Sequence, residues 1–301
     1  MIKVGMVGFD TSHTVGFARS MNHKDCAEDH WVDGAQVVAG LPTEPSPSRA
    51  EDAKEYMKQV AATGVVFVDS AQELLKRVDA ILLECVDGHA HLEQIQPFLG
   101  KDKPIFVDKP FAGDADQAKR IAESAEKTRT PLFSASSMRY APEIKAFHAA
   151  AEAHGELFTL ISHGRSEGMK GARMTPLIYY GVHAAEVLYA IMGVGCREVS
   201  CYSTDVADVA TGIWSDGRTG CVLGARRSKG QWGFIAHCRK SVEYHPLNIN
   251  YVEKELLTRV VEFFRTGHSP VPLRETVECI AFLDAAGQSA AQGGRALPLP
   301  A

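Results

Sequence analysis

The chain lacks the cysteine pattern of a disulfide-bonded or zinc-binding protein. It carries seven cysteines, an odd number, and no two of them form a C-x-x-C pair. Secreted disulfide frameworks and zinc knots both depend on paired, regularly spaced cysteines. The pattern therefore predicts reduced thiols inside a cell.

An excess of positive charge is also absent. Lys and Arg number 32 against 37 Asp and Glu, which gives a formal net charge of -5. Without a basic field there is no electrostatic footprint for nucleic acid, so a small-molecule partner is expected. No apolar run approaches the ~20 residues that span a membrane, and Met1 leads directly into the first predicted strand. The sequence therefore predicts a soluble, cytoplasmic protein that does not bind membranes.

The order of the predicted elements indicates two domains. With 301 residues and 45% hydrophobic composition, the chain can bury more than one core. Up to residue 140, apolar segments alternate with helical patterns, and the apolar run Ala80 to Leu83 is typical of a strand buried on both faces. Right-handed crossovers would assemble these strands into one parallel sheet. We therefore predict a Rossmann-type, doubly wound domain over residues 1–140.

The pattern changes past residue 142. A helical stretch over 177–192 precedes a succession of strand-like segments (198–204, 212–214, 221–225, 233–237 and 241–244). Short turns between such strands favour an antiparallel sheet. Two helices, over 251–266 and 274–292, close the chain. The predicted fold class is α/β, with a C-terminal α/β domain over residues 141–301 that holds an open, mainly antiparallel sheet.

The first strand runs into a turn that lacks two glycines of the dinucleotide-binding fingerprint. In G-x-G-x-x-G the glycines let the backbone approach a pyrophosphate at a helix start. Here the positions read Gly8, Phe9, Asp10, Thr11, Ser12 and His13. Two like charges about 4 Å apart repel by about 1 kcal/mol in water, so an Asp10 carboxylate aimed at a phosphate would oppose binding. Asp10, Thr11 and Ser12 are also good N-cap residues, which gives plain helix capping as the other interpretation.

Two motifs carry proton-transfer chemistry, each with an ordinary structural alternative. Lys109 precedes Pro110 at the end of a predicted strand, where it can bond a substrate oxygen or be a surface lysine. His183 and Glu186 stand one helical turn apart, so the carboxylate can hold the imidazole. A helical histidine among apolar neighbours is also common in protein cores.

His89 and His91 form an H-x-H pair after the fourth strand. No further cysteine or carboxylate stands at a familiar ligand spacing, so no metal is expected. A helix cap by Asp87, with His91 facing a ligand, is the simpler interpretation.

These motifs, in this order, resemble the Gfo/Idh/MocA family, the glucose-fructose oxidoreductase and inositol dehydrogenase group. The family's E-K-P is matched by Asp108-Lys109-Pro110, its histidine after the fourth strand by His91, its R-Y/F-x-P by residues 139–142, and its D-I-G-V-H-x-x-D by residues 179–186. The resemblance implies a nicotinamide-binding Rossmann domain and a C-terminal domain often used for oligomerisation. It also implies oxidation or reduction of sugars and polyols.

The resemblance further implies roles for individual residues. Lys109 would lie beside the nicotinamide, and His183, oriented by Glu186, would take the hydroxyl proton as hydride leaves. Tyr179 replaces the family's aspartate, and a phenol with a reference pKa of ~10 does not act as a carboxylate, so the proton relay must differ. The implied cofactor contacts are Gly8, Phe9, Asp10, Thr11, Ser12, His13, Val86, Asp87, His91, Asp108 and Arg139. The predicted second strand offers no acid for the adenosine ribose, so NAD and NADP both stay open.

We therefore predict a nicotinamide-dependent oxidoreductase that acts on a sugar, polyol or related carbohydrate derivative, with NAD or NADP as cofactor. One alternative is a non-redox lyase, hydratase or isomerase of a sugar acid or keto-sugar, in which Asp10, His13, Lys109 and His183 surround the substrate directly. Another is a non-catalytic sensor that binds a ligand or partner through the open sheet. The resemblance and an exposed sheet face predict a homo-oligomer formed through the C-terminal sheet.

Overall fold

The chain forms two compact units, each with its own sheet. The computed structural model describes residues 1–168, 173–228 and 230–299. The first unit comprises Met1–Ala135 and Glu253–Leu273. The second unit comprises Ser136–Val252 and Arg274–Ala301.

Parallel strands form the sheet of the first unit: β1 (Ile2–Val7), β2 (Ala35–Leu41), β3 (Val66–Phe67), β4 (Ala80–Leu83), β5 (Ile105–Val107) and β6 (Leu132–Phe133). Their order is β3-β2-β1-β4-β5-β6. β1 pairs with β2 on one side and with β4 on the other, so the strand order reverses there. In open α/β sheets, ligands bind at the carboxyl ends of the strands beside such a switch point. β4 is buried along its whole length, as its apolar sequence predicted.

The helices were predicted from their periodicity, and several begin with side-chain caps. Ser70 accepts a hydrogen bond from the Glu73 N–H, and Asp114 accepts one from the Gln117 N–H. Such caps satisfy N–H groups that have no intrahelical partner. The α-helices are α1 (His13–Asn22), α2 (Ala50–Ala62), α3 (Ala71–Arg77), α4 (His91–Ile95), α5 (Ala115–Lys127), α6 (Pro142–Ala149), α7 (Ala151–His154), α8 (Val182–Met192), α9 (Val252–Thr266) and α10 (Leu273–Ala291). Short 3₁₀ turns cover Glu28–His30, Pro47–Arg49, Gln96–Phe98 and Ser137–Tyr140, and a π-helical turn covers Leu177–Gly181.

The second unit contains a mixed sheet of strands β7 (Leu157–Arg165), β8 (Cys196–Ser203), β9 (Ala207–Trp214), β10 (Thr219–Ala225), β11 (Gly233–Cys238), β12 (Val242–Pro246) and β13 (Leu297–Pro298). Their order is β12-β11-β7-β10-β9-β8-β13. β7 and β10 run parallel, and the other pairs are antiparallel. The predicted fold class, a parallel Rossmann-type sheet followed by a mainly antiparallel one, is therefore confirmed.

One face of the second sheet packs on helices, and the other is exposed. Ser162 on β7 donates from its hydroxyl to the Ala184 carbonyl of α8 at 2.7 Å. A Cβ at Gly212 on β9 would stand 2.8 Å from the Phe282 ring of α10, so a larger residue would push that helix away. The opposite face leaves these apolar side chains exposed: Tyr202, Val209, Ile213, Leu223, Val242 and Tyr244. We call this set the outer sheet face.

Helix α9 differs from its predicted place. The sequence analysis assigned all of 141–301 to the second domain, but residues 253–273 belong to the first unit. The Phe263 ring of α9 lies 5.5 Å from the Phe133 ring of β6, and Lys254 Nζ donates to the Asp29 carbonyl oxygen at 2.6 Å. An amphipathic pattern predicts a helix with one buried face, but it does not say which sheet that face covers.

No helix in the described part of the chain is both long and apolar enough to cross a membrane.

Candidate active-site residues in the two units

Gly8 ends β1 in a backbone conformation that favours glycine. Its φ of +84° lies in the left-handed region. A Cβ there would stand 3.2 Å from the backbone of Glu84 and Cys85, which follow β4. The fingerprint glycine that this chain retains is therefore required by both the turn and the close approach of the neighbouring chain.

The Asp10 carboxylate is turned onto two backbone N–H groups. Its Oδ1 accepts from the Val86 N–H at 2.8 Å, and its Oδ2 accepts from the Ser46 N–H at 2.9 Å. Arg49 Nε donates to the Asp10 carbonyl oxygen at 3.1 Å. The Asp10 side chain is buried. It ties the glycine turn to the segments that follow β2 and β4.

Backbone N–H groups at the start of α1 remain available to a ligand. Among the residues that the structure describes, the N–H groups of Thr11 and Ser12 have no protein acceptor. Ser12 is the N-cap residue, but its hydroxyl makes no capping bond, and Thr11 Oγ1 only accepts a long bond from the His13 N–H at 3.4 Å. Capping therefore does not explain the Asp10 or Ser12 side chain. Free N–H groups at a helix start are suited to an anion.

We expect Asp10→Asn to destabilise the protein. An amide has one acceptor oxygen, so its NH₂ group would face one of the two N–H groups and leave that donor unpaired. An unsatisfied buried polar group costs about 1–3 kcal/mol. The measurement is the free energy of unfolding in urea, with Asp52→Asn as the control because the Asp52 side chain is 47% exposed. Equal effects of the two substitutions would contradict the importance of the Asp10 bonds.

His13, Glu84 and Asp108 converge at the switch point of the first sheet. His13 begins α1, Glu84 follows β4 and Asp108 follows β5. His13 Nδ1 lies 2.7 Å from Asp108 Oδ2, and the three side chains each place a nitrogen or oxygen within 4.8 Å of the others. Glu84 and Asp108 are buried. Within the described part of the chain, neither Glu84 oxygen nor Asp108 Oδ1 has a hydrogen-bond partner.

The two carboxyl groups of this cluster differ in their acidity. Burial raises the pKa of Glu84 well above its ordinary value, and the charge of Asp108 raises it further. Burial would also raise the pKa of Asp108, but the charges of His13 and Lys109 outweigh burial and lower that pKa to about 2. Two close, buried carboxyl groups do not both ionise readily. Of the two groups, Asp108 is therefore the stronger acid and ionises first.

Lys109 follows Asp108 at the carboxyl edge of the sheet. Its side chain is half-buried. Its ammonium group forms no hydrogen bond or ion pair with any residue that the structure describes. A partly buried ammonium without such a partner can bond a ligand oxygen.

His91 does not face a ligand, contrary to the expectation from sequence. It is fully buried, and its ring nitrogens lie 3.1 Å from the Phe111 carbonyl oxygen and 2.9 Å from the Cys85 carbonyl oxygen. Burial lowers its pKa, against the opposing effect of the two carbonyl groups. The ring thus connects the segments that follow β4 and β5. Asp87 Oδ1 accepts from the His89 N–H at 3.0 Å in the turn before α4, whose N-cap residue is Ala90.

In the second unit, His183 lies in the first turn of α8 and is held by Ser136. The Ser136 hydroxyl oxygen lies 2.6 Å from His183 Nδ1. The imidazole lies edge-on to the rings of Tyr180 and Trp232, with centroid distances of 5.1 and 5.3 Å. A Cβ at Gly164 would stand 1.8 Å from the Trp232 ring, so only glycine at this position of β7 leaves room for the indole.

Arg139 lies between two carboxylates of the second unit, the buried Glu186 and the partly buried Glu275. Its Nε donates to Glu186 Oε2 at 2.7 Å, and Arg139 Nη2 lies 2.7 Å from Glu275 Oε1. Burial raises the pKa of Glu186, against the charge of Arg139. The sequence analysis assigned Arg139 to cofactor binding and gave Glu186 the role of orienting His183. In the structure Glu186 bonds Arg139, while Ser136 holds Nδ1 of the histidine.

Tyr179 lies in the π-helical turn Leu177–Gly181 and is half-buried. Its N–H donates to the Thr175 carbonyl oxygen at 2.9 Å. The sequence predicted one continuous helix over 177–192, whereas the structure inserts this π turn before α8. Such turns are frequent at functional sites.

A cavity of about 520 Å³ opens beside the His183 ring cluster. Trp232 belongs to both, and the Arg165 guanidinium lies 5.2 Å from the centroid of the Tyr180 ring. The lining residues are Arg165, Gly230, Gln231, Trp232, Pro246, Leu247, Asn248, Ile249 and Asn250. The second unit therefore combines a positioned imidazole with a cavity that has both aromatic and polar walls.

The N-terminal part of the chain matches the model of a known family. Residues 2–136 match the Gfo/Idh/MocA family, described as an oxidoreductase family with an NAD-binding Rossmann fold. The match covers just under half of the chain.

Curated relatives match part of the chain, and solved structures share its fold. An inositol 2-dehydrogenase of Cereibacter sphaeroides is 29% identical over 138 residues, which cover 46% of this chain and 37% of the relative. One of Paracoccus denitrificans is 32% identical over 115 residues, or 37% of this chain and 34% of the relative. The match thus spans just over a third of the relatives' length. Among solved structures, a myo-inositol dehydrogenase of Corynebacterium glutamicum has a TM-score of 0.81 at 15% identity, covering 100% of this chain and 99% of that one. GenD2, solved in complex with NAD, has a TM-score of 0.80 at 15% identity, covering 100% and 97%. At these identities the structures show the shared fold.

The residues that the structure groups together differ in how clearly the sequence indicates them. Glu84 has one signal, because it is a carboxylate directly after a fully apolar strand. Ser136 and Trp232 had none, because 47 residues separate Ser136 from His183 and no motif links the three.

Proposed function

We propose that the protein is a nicotinamide-dependent oxidoreductase that acts on a sugar or polyol. The observation that carries this proposal is the glycine turn of the first unit. Gly8 keeps the fingerprint conformation, and the N–H groups of Thr11 and Ser12 have no acceptor among the described residues. The Asp10 carboxylate, which would oppose a pyrophosphate, is instead bonded to Val86 and Ser46. The match of residues 2–136 to the model of an NAD-binding oxidoreductase family supports the same assignment.

The first unit can hold a dinucleotide through its own groups. The Thr11 and Ser12 N–H groups would bond pyrophosphate oxygens, with the favourable end of the α1 dipole behind them. Lys109 would bond an oxygen of the cofactor or the substrate through its ammonium, which has no hydrogen-bond or ion-pair partner in the described part of the chain. When bound, the nicotinamide accepts or supplies the hydride.

In the second unit, we propose His183 as the group that takes the hydroxyl proton of the substrate. Imidazole is the side chain best suited to proton transfer near neutral pH. To accept a proton at Nε2, the ring must carry its own proton on Nδ1 and donate it to the Ser136 oxygen, 2.6 Å away. The Tyr180 and Trp232 rings then restrict how far the imidazole can turn.

The cavity and the relatives support the proposed substrate class. Arg165, Gln231, Asn248 and Asn250 provide polar groups on the cavity wall, and Trp232 provides an aromatic surface. Hydroxyl-rich ligands need both kinds of contact. Because the curated relatives are named inositol 2-dehydrogenases, cyclic polyols are the first substrates to test.

The experiment that tests the proposal is calorimetric titration of the nucleotide-free protein with NAD⁺, NADH, NADP⁺ and NADPH. We expect binding of at least one pair in the micromolar range and weaker binding after Lys109→Ala. Lys76→Ala is the matched control because it removes an exposed cation from α3 of the same unit. Absence of binding by the folded native protein to all four nucleotides would overturn the proposal and favour the non-redox alternative.

We also propose that the protein self-associates through the outer sheet face. Six exposed apolar side chains on one sheet face would be a liability in a monomer. Ile213→Glu would place a charge in this face and is expected to shift the protein toward the monomer in sedimentation equilibrium. Val66→Glu changes an exposed valine of the first unit and is the control. A native protein that is already monomeric at micromolar concentration would contradict this prediction.

A further inference from the structure

We propose that His13, Glu84 and Asp108 form a binding site for one divalent transition-metal ion. The sequence analysis expected no metal, and its only candidate was the His89/His91 pair. The structure instead brings together three residues that lie far apart in the sequence. They come from the beginning of α1 and from the ends of β4 and β5, beside the switch point of the sheet.

The distances within the cluster suit a shared ion. Each side chain offers one ligand atom, and these atoms all lie within 4.8 Å of one another. Zinc-type ions hold nitrogen and oxygen ligands at about 2.0–2.2 Å in a tetrahedron, so two ligands of one ion lie about 3.3–3.6 Å apart. Binding therefore requires the most distant ligand atoms to approach by no more than about 1.5 Å. His13 Nδ1 and Asp108 Oδ2, 2.7 Å apart without the ion, would separate by about 0.6–0.9 Å.

Unpaired oxygens supply the second, independent observation. Glu84 is fully buried, yet neither of its oxygens has a hydrogen-bond partner among the described residues. Asp108 Oδ1 is also buried and also has no hydrogen-bond partner among the described residues. Buried polar atoms are nearly always partnered by protein, water or an ion. A divalent ion would partner these oxygens and balance the charge of both carboxylates, which otherwise are costly to bury side by side.

The ligand set narrows the kind of ion. One imidazole and two carboxylates, without a thiolate, suit Zn²⁺, Mn²⁺, Fe²⁺ or Co²⁺. Ca²⁺ requires six to eight oxygen ligands, more than this cluster offers. Three protein ligands also leave a coordination position for water or a ligand oxygen.

The test uses the full-length protein after treatment with a chelator. Titration with CoCl₂ is followed by the visible d–d absorption, and metal content is measured by elemental analysis after dialysis. We expect one Co²⁺ per chain and a higher Tm for the loaded protein. Because changes even in outer-shell partners of a metal weaken affinity by about 10–100-fold, His13→Asn and Glu84→Gln are each expected to weaken binding at least tenfold.

Control variants separate this site from incidental binding. His89 lies 3.4 Å from Asp114 in the same unit, so His89→Asn removes a comparable histidine and should leave Co²⁺ affinity unchanged. Glu84→Gln keeps the shape of a neutral acid, so undiminished Co²⁺ binding by this variant would overturn the proposal. If Glu84→Gln fails to fold, His13→Asn decides the question, because the His13 side chain is 17% exposed whereas Glu84 is fully buried. Absence of stoichiometric Co²⁺ binding by the native protein would also overturn it. None of these measurements depends on turnover.

Discussion

Arg139→Met is expected to lower the free energy of unfolding of the protein by about 3–5 kcal/mol. The Arg139 side chain is 11% exposed, donates to Glu186 and forms an ion pair with Glu275, with a nitrogen–oxygen distance of 2.7 Å in each case. Methionine fills similar space but leaves the buried Glu186 and the partly buried Glu275 without a cation. Burial lowers the pKa of Arg139, but the two carboxylates raise it more, so the native guanidinium stays charged. Urea unfolding monitored by tryptophan fluorescence measures the loss.

Two comparisons decide whether the effect comes from the buried charges. Arg239→Met removes an arginine paired with Glu156 on the surface, where both side chains are at least 60% exposed. Such a pair contributes only about 0–1 kcal/mol. Adding Glu186→Gln and Glu275→Gln to Arg139→Met should recover part of the lost stability, because no uncompensated charge then remains buried. Equal effects of the two arginine substitutions would refute the explanation.

The fold was predictable because its signals are local. Alternating strands and helices over the first 135 residues specify a parallel sheet, and the run of strands after residue 195 specifies an antiparallel one. α9 was assigned to the wrong unit because its amphipathic pattern is equally compatible with either sheet. The two-residue strand β13 pairs with β8 at the sheet edge, and so short a strand has no periodicity to detect.

The candidate site was predictable only where a motif carried it. Lys109 and His183 were found from short motifs, and the structure gives both of them surroundings suited to chemistry. His91 matched a family position too, but burial and two carbonyl contacts make it a structural residue. Motif matching cannot distinguish these outcomes, because it identifies a position and not the direction of the side chain.

Asp10 is a second residue whose side-chain direction could not be predicted from the sequence. From the sequence, a carboxylate in place of a fingerprint glycine opposes a pyrophosphate. In the structure its two oxygens accept from Val86 and Ser46, which come from other segments of the first unit. The side chains of Val86 and Ser46 do not indicate these bonds, because both residues donate through their backbone N–H groups. These two hydrogen bonds stabilise the Asp10 carboxylate, and no sequence pattern indicates them.

His183→Asn is expected to lower kcat by about 10²–10⁴-fold for any substrate that the native protein oxidises, because a positioned acid or base contributes about that much. Asparagine is close in size and can still bond the Ser136 hydroxyl, but it cannot take up a proton near neutral pH. Ser136→Ala should have a smaller effect, since it removes the bond that fixes the ring and leaves the imidazole. Steady-state kinetics with a confirmed polyol substrate measure both variants.

The pH profile separates a proton acceptor from a packing residue. If His183 is the base, a plot of kcat against pH for the native protein should rise at its acidic end as one group loses its proton. The kcat of His183→Asn should not show that rise. His148→Asn, which changes an exposed histidine on α6, should keep both the native rate and the native profile. The nucleotide affinities of His183→Asn, Ser136→Ala and His148→Asn should equal that of the native protein, because the glycine turn belongs to the first unit. A His183→Asn protein that retains native kcat and its pH dependence would mean that another group takes the proton, and Tyr180, 5.1 Å away between ring centroids, would be the next candidate.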